Sequence, residues 1–170
     1  MLLGYNELKD LVAKKKLVDE MIDPEVQIQP NGIELTLRRV EKLSGIGAIA
    51  FDNAERVLPA SSALEFGDDG WITLSKGSYK VIFNEIVNMP NDIAAIARPR
   101  SSLLRCGATM ETAVWDAGYS GRSESLLVVH GGELRLRKDA RILQLLFMRI
   151  ESPVVKGYSG IYQNENIQNS

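Results

Sequence analysis

With 170 residues, 45% of them apolar and 25% charged, the chain has the size and composition of one soluble domain that buries its own core. Its single cysteine, Cys106, and single histidine, His130, exclude an intramolecular disulfide and leave too few ligands for a zinc-dependent deaminase or protease. A net charge of -2 gives no reason to expect a nucleic-acid polymer as partner, so any anion site must be local.

The N-terminal stretch lacks the basic start, apolar middle and small-residue cleavage site of a signal peptide, and no apolar run approaches the ~20 residues that span a bilayer. A cytoplasmic protein without a membrane partner is therefore expected. Asn6 is placed to cap a first helix, in which Leu8, Leu11 and Val12 recur at helical spacing and Lys14, Lys15 and Lys16 crowd the end. It is the only helix the pattern predicts, because Asp23-Pro24 breaks the repeat.

From Gly32 the period changes: Ile33, Leu35 and Leu37 alternate with Glu34, Thr36 and Arg38, as in a half-buried strand. Further β-rich runs at 71–74, 79–87, 93–97, 126–130, 134–137 and 142–150 are separated by Gly, Pro, Asn or Asp. They predict one all-β domain over residues 1–155, of the sandwich or barrel kind, with a short helical appendage at its N-terminus. Trp71 and the run 79–83 read as core, and His130, before Gly131-Gly132, as a strand-end residue without a catalytic role. Residues 156–170 are polar and expected to be mobile, yet they hold Tyr158 and Tyr162, which a plain tail has little reason to keep.

Two segments have chemical character. Residues 97–107, ARPRSSLLRCG, gather Arg98, Arg100 and Arg105 with Ser101 and Ser102 and no acid. After Pro99 the serines can open a short helical turn whose free N–H groups and neighbouring arginine bind an anion; a solvated basic turn is the alternative. In residues 113–122, AVWDAGYSGR, Asp116 stands at the entrance of a tight turn at Ala117-Gly118. Such an acid either satisfies turn N–H groups or serves as a general base held by the turn.

The run Pro99-Arg100-Ser101-Ser102, followed by Trp115-Asp116-Ala117-Gly118-Tyr119-Ser120-Gly121-Arg122, closely resembles the second and third motifs of the dUTPase and dCTP deaminase superfamily. Weaker matches stand in the same order. Gln29 to Leu35 is similar to the first motif, Ala140 to Leu145 to the fourth, and Gly157 to Gln163 to the C-terminal lid. The wording of these motifs, with the N-terminal helix, is most like the archaeal branch of dUTPases.

The resemblance implies a distorted β-barrel, jelly-roll-like, with a flexible C-terminal lid, assembled as a homotrimer whose sites collect motifs from neighbouring subunits. It implies dUTP as substrate, Asp116 as general base, and Mg2+ held mainly by the triphosphate rather than by protein ligands. Arg100, Ser101, Ser102 and Gln144 would bind phosphates. The hairpin 112–119, with Thr112, Ala113 and Val114, would read uracil through its backbone, and Tyr119 would pack on the deoxyribose. Tyr158, Tyr162 and Gln163 would fold over the nucleotide. Glu34, where the usual first motif has aspartate, would form a structural ion pair with Arg141.

Deaminases of the superfamily use a glutamate ten residues after the aspartate, where this chain has Leu126; Glu124 would substitute only if a bulge brought it into place. Ile161 occupies a lid position that is lysine in many deaminases. The alternatives to a dUTPase are thus a dCTP deaminase or bifunctional enzyme, and a nucleotide-binding regulator without turnover.

Overall fold

The computed structural model describes residues 1–167; Gln168, Asn169 and Ser170, the end of the expected tail, lie outside the described residues. Helix α1, Tyr5–Lys15, buries Leu8 and Leu11 along one stripe and ends at Lys16 in the left-handed conformation. Its N-cap is Gly4, with no side-chain cap, so Asn6 lies inside the helix instead of opening it. The entry is set by tertiary contacts, since the amides of Leu3 and Tyr5 donate to the carbonyls of Phe147 and Pro30 at 2.9 Å.

Strand β1 is Val18–Asp19. Pro24 then opens a second helix, α2 at Pro24–Gln27, capped by the Asp23 side chain accepting from the Glu25 amide at 3.0 Å. A proline costs nothing at the first helical position, where its missing N–H would be unpaired anyway. Thereafter come β2 Ile28–Gln29, β3 Gly32–Ser44, one 3-10 turn at Asn53–Glu55, β4 Ala60–Leu64, β5 Trp71–Phe83, β6 Ile86–Asn88 and β7 Ile93–Pro99. A third helix, α3 at Ser101–Arg105, precedes β8 Ala108–Glu111, β9 Ser120–Gly121, β10 Glu124–Arg137 and β11 Arg141–Arg149.

The predicted runs on either side of residues 75–78 and 131–133 are joined into single long strands. Strand β10 absorbs its Gly131-Gly132 pair as a bulge, with register moving from Val129 opposite Gly77 to Glu133 opposite Ser75. His130 is exposed within that strand, not at its end.

The large sheet runs β7-β11-β3-β5-β10-β8, with β2 and β4 paired onto β3, and β1-β6-β9 form a small second sheet. The two edges of the large sheet meet where Trp115, beyond β8, bridges Ala95 of β7: each amide donates to the other carbonyl, at 2.9 and 3.0 Å. This seam turns the sheet into a nearly closed barrel, the all-β architecture expected. Leu35, Leu37, Val81, Phe83, Leu127, Leu145 and Phe147 are fully buried inside it, each contributing about 1.5–3 kcal/mol through removal from water.

Two expectations about burial are corrected. The first half of strand β3, residues 32–37, is covered on both faces, because Glu34 and Thr36 meet other polar groups and not solvent. The fully buried Glu85 accepts from the Thr36 amide at 2.9 Å, the Thr36 hydroxyl at 2.6 Å and Gln27 Nε2 at 2.7 Å. Burial raises its pKa despite these bonds. Trp71 is not core: it is 38% exposed, and the Arg135 guanidinium lies 5.0 Å from its ring.

Candidate active site

The seam delivers the turn that bears Asp116. Residues 112–119 do not form a hairpin, because β8 pairs with β10 while β9 pairs with β6, in different sheets. The segment crosses from one sheet to the other, and the buried Trp115 must reach β7 on the way. Its turn closes with the Tyr119 amide donating to the Asp116 carbonyl at 3.1 Å, and Gly118, at φ 86, takes the left-handed position. The Gly118 amide donates to Met89, and the Met89 amide to Tyr119 at 2.7 Å, so the turn is fixed at both ends.

Asp116 lines a cavity of about 260 Å³ together with Ala113, Val114, Trp115, Tyr119 and Ser123. Glu124, Tyr158, Tyr162 and Glu165 complete the wall, the last three from the tail beyond β11. The tail is folded back onto its own chain. The Tyr158 amide donates to the Ala117 carbonyl at 2.8 Å, and the Asn164 amide to the Ser120 carbonyl at 2.7 Å. Gly157 passes so close to Gly118 that a Cβ on either would come within 2.9 Å of the other's Cα. The Tyr158 ring meets Tyr119 edge-on, with centroids 5.7 Å apart, and the Arg56 guanidinium lies 5.7 Å from the Tyr162 ring.

Gln163 does not line the cavity but braces its floor, donating to the Gly118 carbonyl and accepting from the Ser120 amide, both at 3.0 Å. Thr112 also lies outside the lining. Arg122 is buried: its Nη2 pairs with Glu20 at 2.7 Å, its Nε donates to the Asn166 carbonyl at 3.2 Å, and its amide donates to the Glu165 carbonyl at 2.9 Å. These contacts join the tail's far end to the barrel, while the buried Arg122 Nη1 has no hydrogen-bond partner among the described residues.

The electrostatics of the wall come from acids the motifs did not assign to it. Glu124 is held by Lys80 Nζ at 3.2 Å and Asn166 Nδ2 at 3.1 Å. Glu165 accepts from the Tyr119 hydroxyl at 2.7 Å; burial raises the Glu165 pKa, and the neighbouring Glu124 charge adds to the effect. Burial also pushes the Tyr119 hydroxyl far above its usual 10, so it remains a hydrogen-bond donor at any working pH. Glu165 was legible only as one more polar tail residue, its contact being 46 positions away in sequence.

The phosphate-binding candidates gather elsewhere. Ser101 and Ser102 begin α3, with exposed side chains. Gln144, on β11, pairs in register with Glu34 of β3 and Arg98 of β7. Arg100 Nε donates to Glu34 Oε1 at 2.5 Å, while Arg141 Nη1 pairs with Glu34 Oε2 at 2.9 Å. Glu34 thus holds two arginines, of which only Arg141 had been assigned to it. Arg100 lies five residues past Ala95 at the seam, and none of Arg100, Ser101, Ser102 and Gln144 lines the Asp116 cavity of the same chain.

A bulge that would slide Glu124 into the place of Leu126 is not there. The β10–β5 register is continuous from Glu124 opposite Ile82 to Val129 opposite Gly77. Leu126 faces a neighbouring chamber that also includes Glu111, Lys80, Ser125 and Leu58.

The profile of a family described as dCTP deaminase-like matches residues 2–150. The chain belongs to the dCTP deaminase-like family. Within it, the chain is 63% identical over 167 residues to a Methanosarcina barkeri protein named "Probable deoxyuridine 5'-triphosphate nucleotidohydrolase", covering 97% of this chain and 98% of that one. It is 42% identical to a Methanocaldococcus jannaschii protein named "Deoxyuridine 5'-triphosphate nucleotidohydrolase", covering 96% of this chain and 99% of that one. Among solved structures, the 2'-deoxycytidine 5'-triphosphate deaminase of Agrobacterium tumefaciens superposes with a TM-score of 0.68 at 22% identity, over 88% of this chain and 47% of that one. This chain spans about half the length of that deaminase, and the likeness is one of fold. The near full-length relatives are thus named for deoxyuridine triphosphate hydrolysis, while the deaminase shares the fold.

Proposed function

We propose that this protein is a dUTP diphosphatase, hydrolysing dUTP at the α-phosphorus to dUMP and pyrophosphate. The observation that carries the reading is the placement of Asp116 in an aromatic-walled cavity that the tyrosine-bearing tail covers. The near full-length relatives named deoxyuridine triphosphate nucleotidohydrolases support it, as does Leu126, which offers no proton for deamination at the position where the superfamily's deaminases use glutamate.

In this reading Asp116 accepts a proton from the water whose oxygen attacks the α-phosphorus, and the bond to the pyrophosphate oxygen breaks. Ala113 and Val114, with Thr112 beside them, meet the base through their backbone; Tyr119 packs on the deoxyribose where a 2'-hydroxyl would collide. Tyr158 and Tyr162 exclude water from above, and Gln163 holds the turn. Arg100, Ser101, Ser102 and Gln144 bind the phosphates from a neighbouring subunit of a homotrimer, because a single chain holds them apart from Asp116.

Mg2+ carried by the triphosphate would spread the charge of the leaving pyrophosphate. The donor set suits that role, since among the described residues no three His, Cys, Asp or Glu side chains are grouped to hold a metal. No helix among them is long and apolar enough to cross a membrane, and we assign the enzyme to the cytoplasm.

Incubation with Mg2+ and each deoxynucleoside triphosphate, followed by separation of products, tests the reading. Conversion of dUTP to dUMP with dCTP left intact is expected. Deamination of dCTP would restore the bifunctional alternative, and Glu124→Gln would then show whether Glu124 supplies the proton. Binding without turnover would make the protein a regulator.

A further inference from the structure

Along the cavity wall a chain of hydrogen bonds runs from the Trp115–Tyr119 turn to the tail. The Trp115 indole Nε1 donates to Ser123 Oγ at 2.6 Å, Ser123 Oγ lies 3.2 Å from the Tyr119 hydroxyl, and that hydroxyl donates to Glu165 Oε1 at 2.7 Å. Trp115, Ser123 and Tyr119 are all buried. The direction follows from chemistry: indole N–H only donates, so Ser123 Oγ accepts there. With the Tyr119 proton committed to Glu165, the Ser123 proton turns to the Tyr119 oxygen. Such a chain ends on an acceptor with no proton of its own to place, and a carboxylate serves that role better than any neutral group.

The residues at the two ends of the buried part have a particular relation to Asp116. Trp115 immediately precedes it, and Tyr119 closes its turn by donating its backbone N–H to the Asp116 carbonyl. Glu165, in contrast, belongs to the tail and reaches Tyr119 only when the tail is docked. We propose that Glu165 is a positioning residue of the active site, terminating a directed chain that clamps both flanks of the Asp116 turn when the tail closes. Closure then does more than exclude water: it fixes the carboxylate that receives the proton. The inference rests on the dUTP reading for its kinetic arm alone.

Glu165→Gln keeps an acceptor oxygen for Tyr119, Glu165→Leu removes it, and Ser123→Ala cuts the chain at its middle while leaving the tail contact. Amide exchange measured on the full chain reads the clamp directly at Tyr119 and the docking of the tail at Tyr158 and Asn164. In Glu165→Leu, exchange at Tyr119 should accelerate about tenfold or more, the scale of a lost hydrogen bond to a charged group. Glu165→Gln should remain within a few-fold of wild type. Ser123→Ala should loosen Tyr119 but leave Tyr158 and Asn164 protected.

With dUTP, Glu165→Leu and Ser123→Ala should lower kcat by about tenfold, with a smaller change in KM for Ser123→Ala. Faster exchange confined to the tail in Glu165→Leu, or equal damage from Gln and Leu, would overturn the clamp. A wild-type protein inert toward dUTP would overturn the functional reading, and the exchange measurements would still judge the clamp.

Discussion

Asp116 combines exposure to the cavity with a backbone anchored on both sides, the combination a general base requires. Asp116→Asn keeps the side chain's size and most of its hydrogen bonding while removing its capacity to take a proton. Folding and dUTP affinity should survive this change, and the single-turnover rate should fall by roughly 10²–10⁴-fold. A near-normal rate would reduce Asp116 to a turn residue and leave the phosphate arginines and metal as the catalytic parts. Around it the residues divide labour by protonation: Tyr119 stays a donor because burial disfavours its anion, and Glu124 is matched to the Lys80 ammonium.

Among the elements, the tail differs most from its composition. A stretch rich in Gly, Ser, Asn and Gln has little apolar surface to hold it, yet the structure docks it through backbone amides, Gln163, Asn166 and the enclosed Arg122. Few of these bonds bury apolar area, so the docked form is easily exchanged for an open one, as a lid that admits nucleotide requires. Removing the residues after Lys156 should leave a folded barrel, with turnover falling sharply because Tyr158, Tyr162 and Glu165 go with it. Circular dichroism and dUTP kinetics on the truncated chain check both halves; unchanged kinetics would make the tyrosines irrelevant to closure.

At the scale of the molecule, the separation of Asp116 from the Arg100–Gln144 cluster argues for assembly. Light scattering should report roughly three times the chain mass of 18.8 kDa, and a stable, active monomer would sink the shared site. The strands were legible because period-two alternation survives wherever one face meets the core. The same alternation misled at β3, where polar Glu34 and Thr36 are buried against Arg100, Arg141 and Glu85, partners that local spacing does not reveal. One helix was expected and three are present among the described residues: at Pro99 and its two serines only a short helical turn could be read, and α2 was not foreseen. Arg122 with Glu20, 102 positions apart, and Tyr119 with Glu165 were not legible, since their pairing is decided by how the chain returns on itself.

The crossing of Gly118 and Gly157 has a consequence for how such a chain varies over evolutionary time. A side chain on either would meet the other's Cα and the Asn91 side-chain oxygen, and Gly118 also needs its left-handed angle. Gly157→Ala should therefore yield a soluble, well-folded protein whose tail cannot seat and whose turnover falls toward that of the truncated chain, to be seen as normal melting with lost activity. Selection acting through catalysis would purge such variants while selection for folding alone would not notice them. Gly157 should thus be free to vary in a descendant that has kept the barrel and abandoned the reaction, whereas Gly118 stays fixed by its left-handed angle.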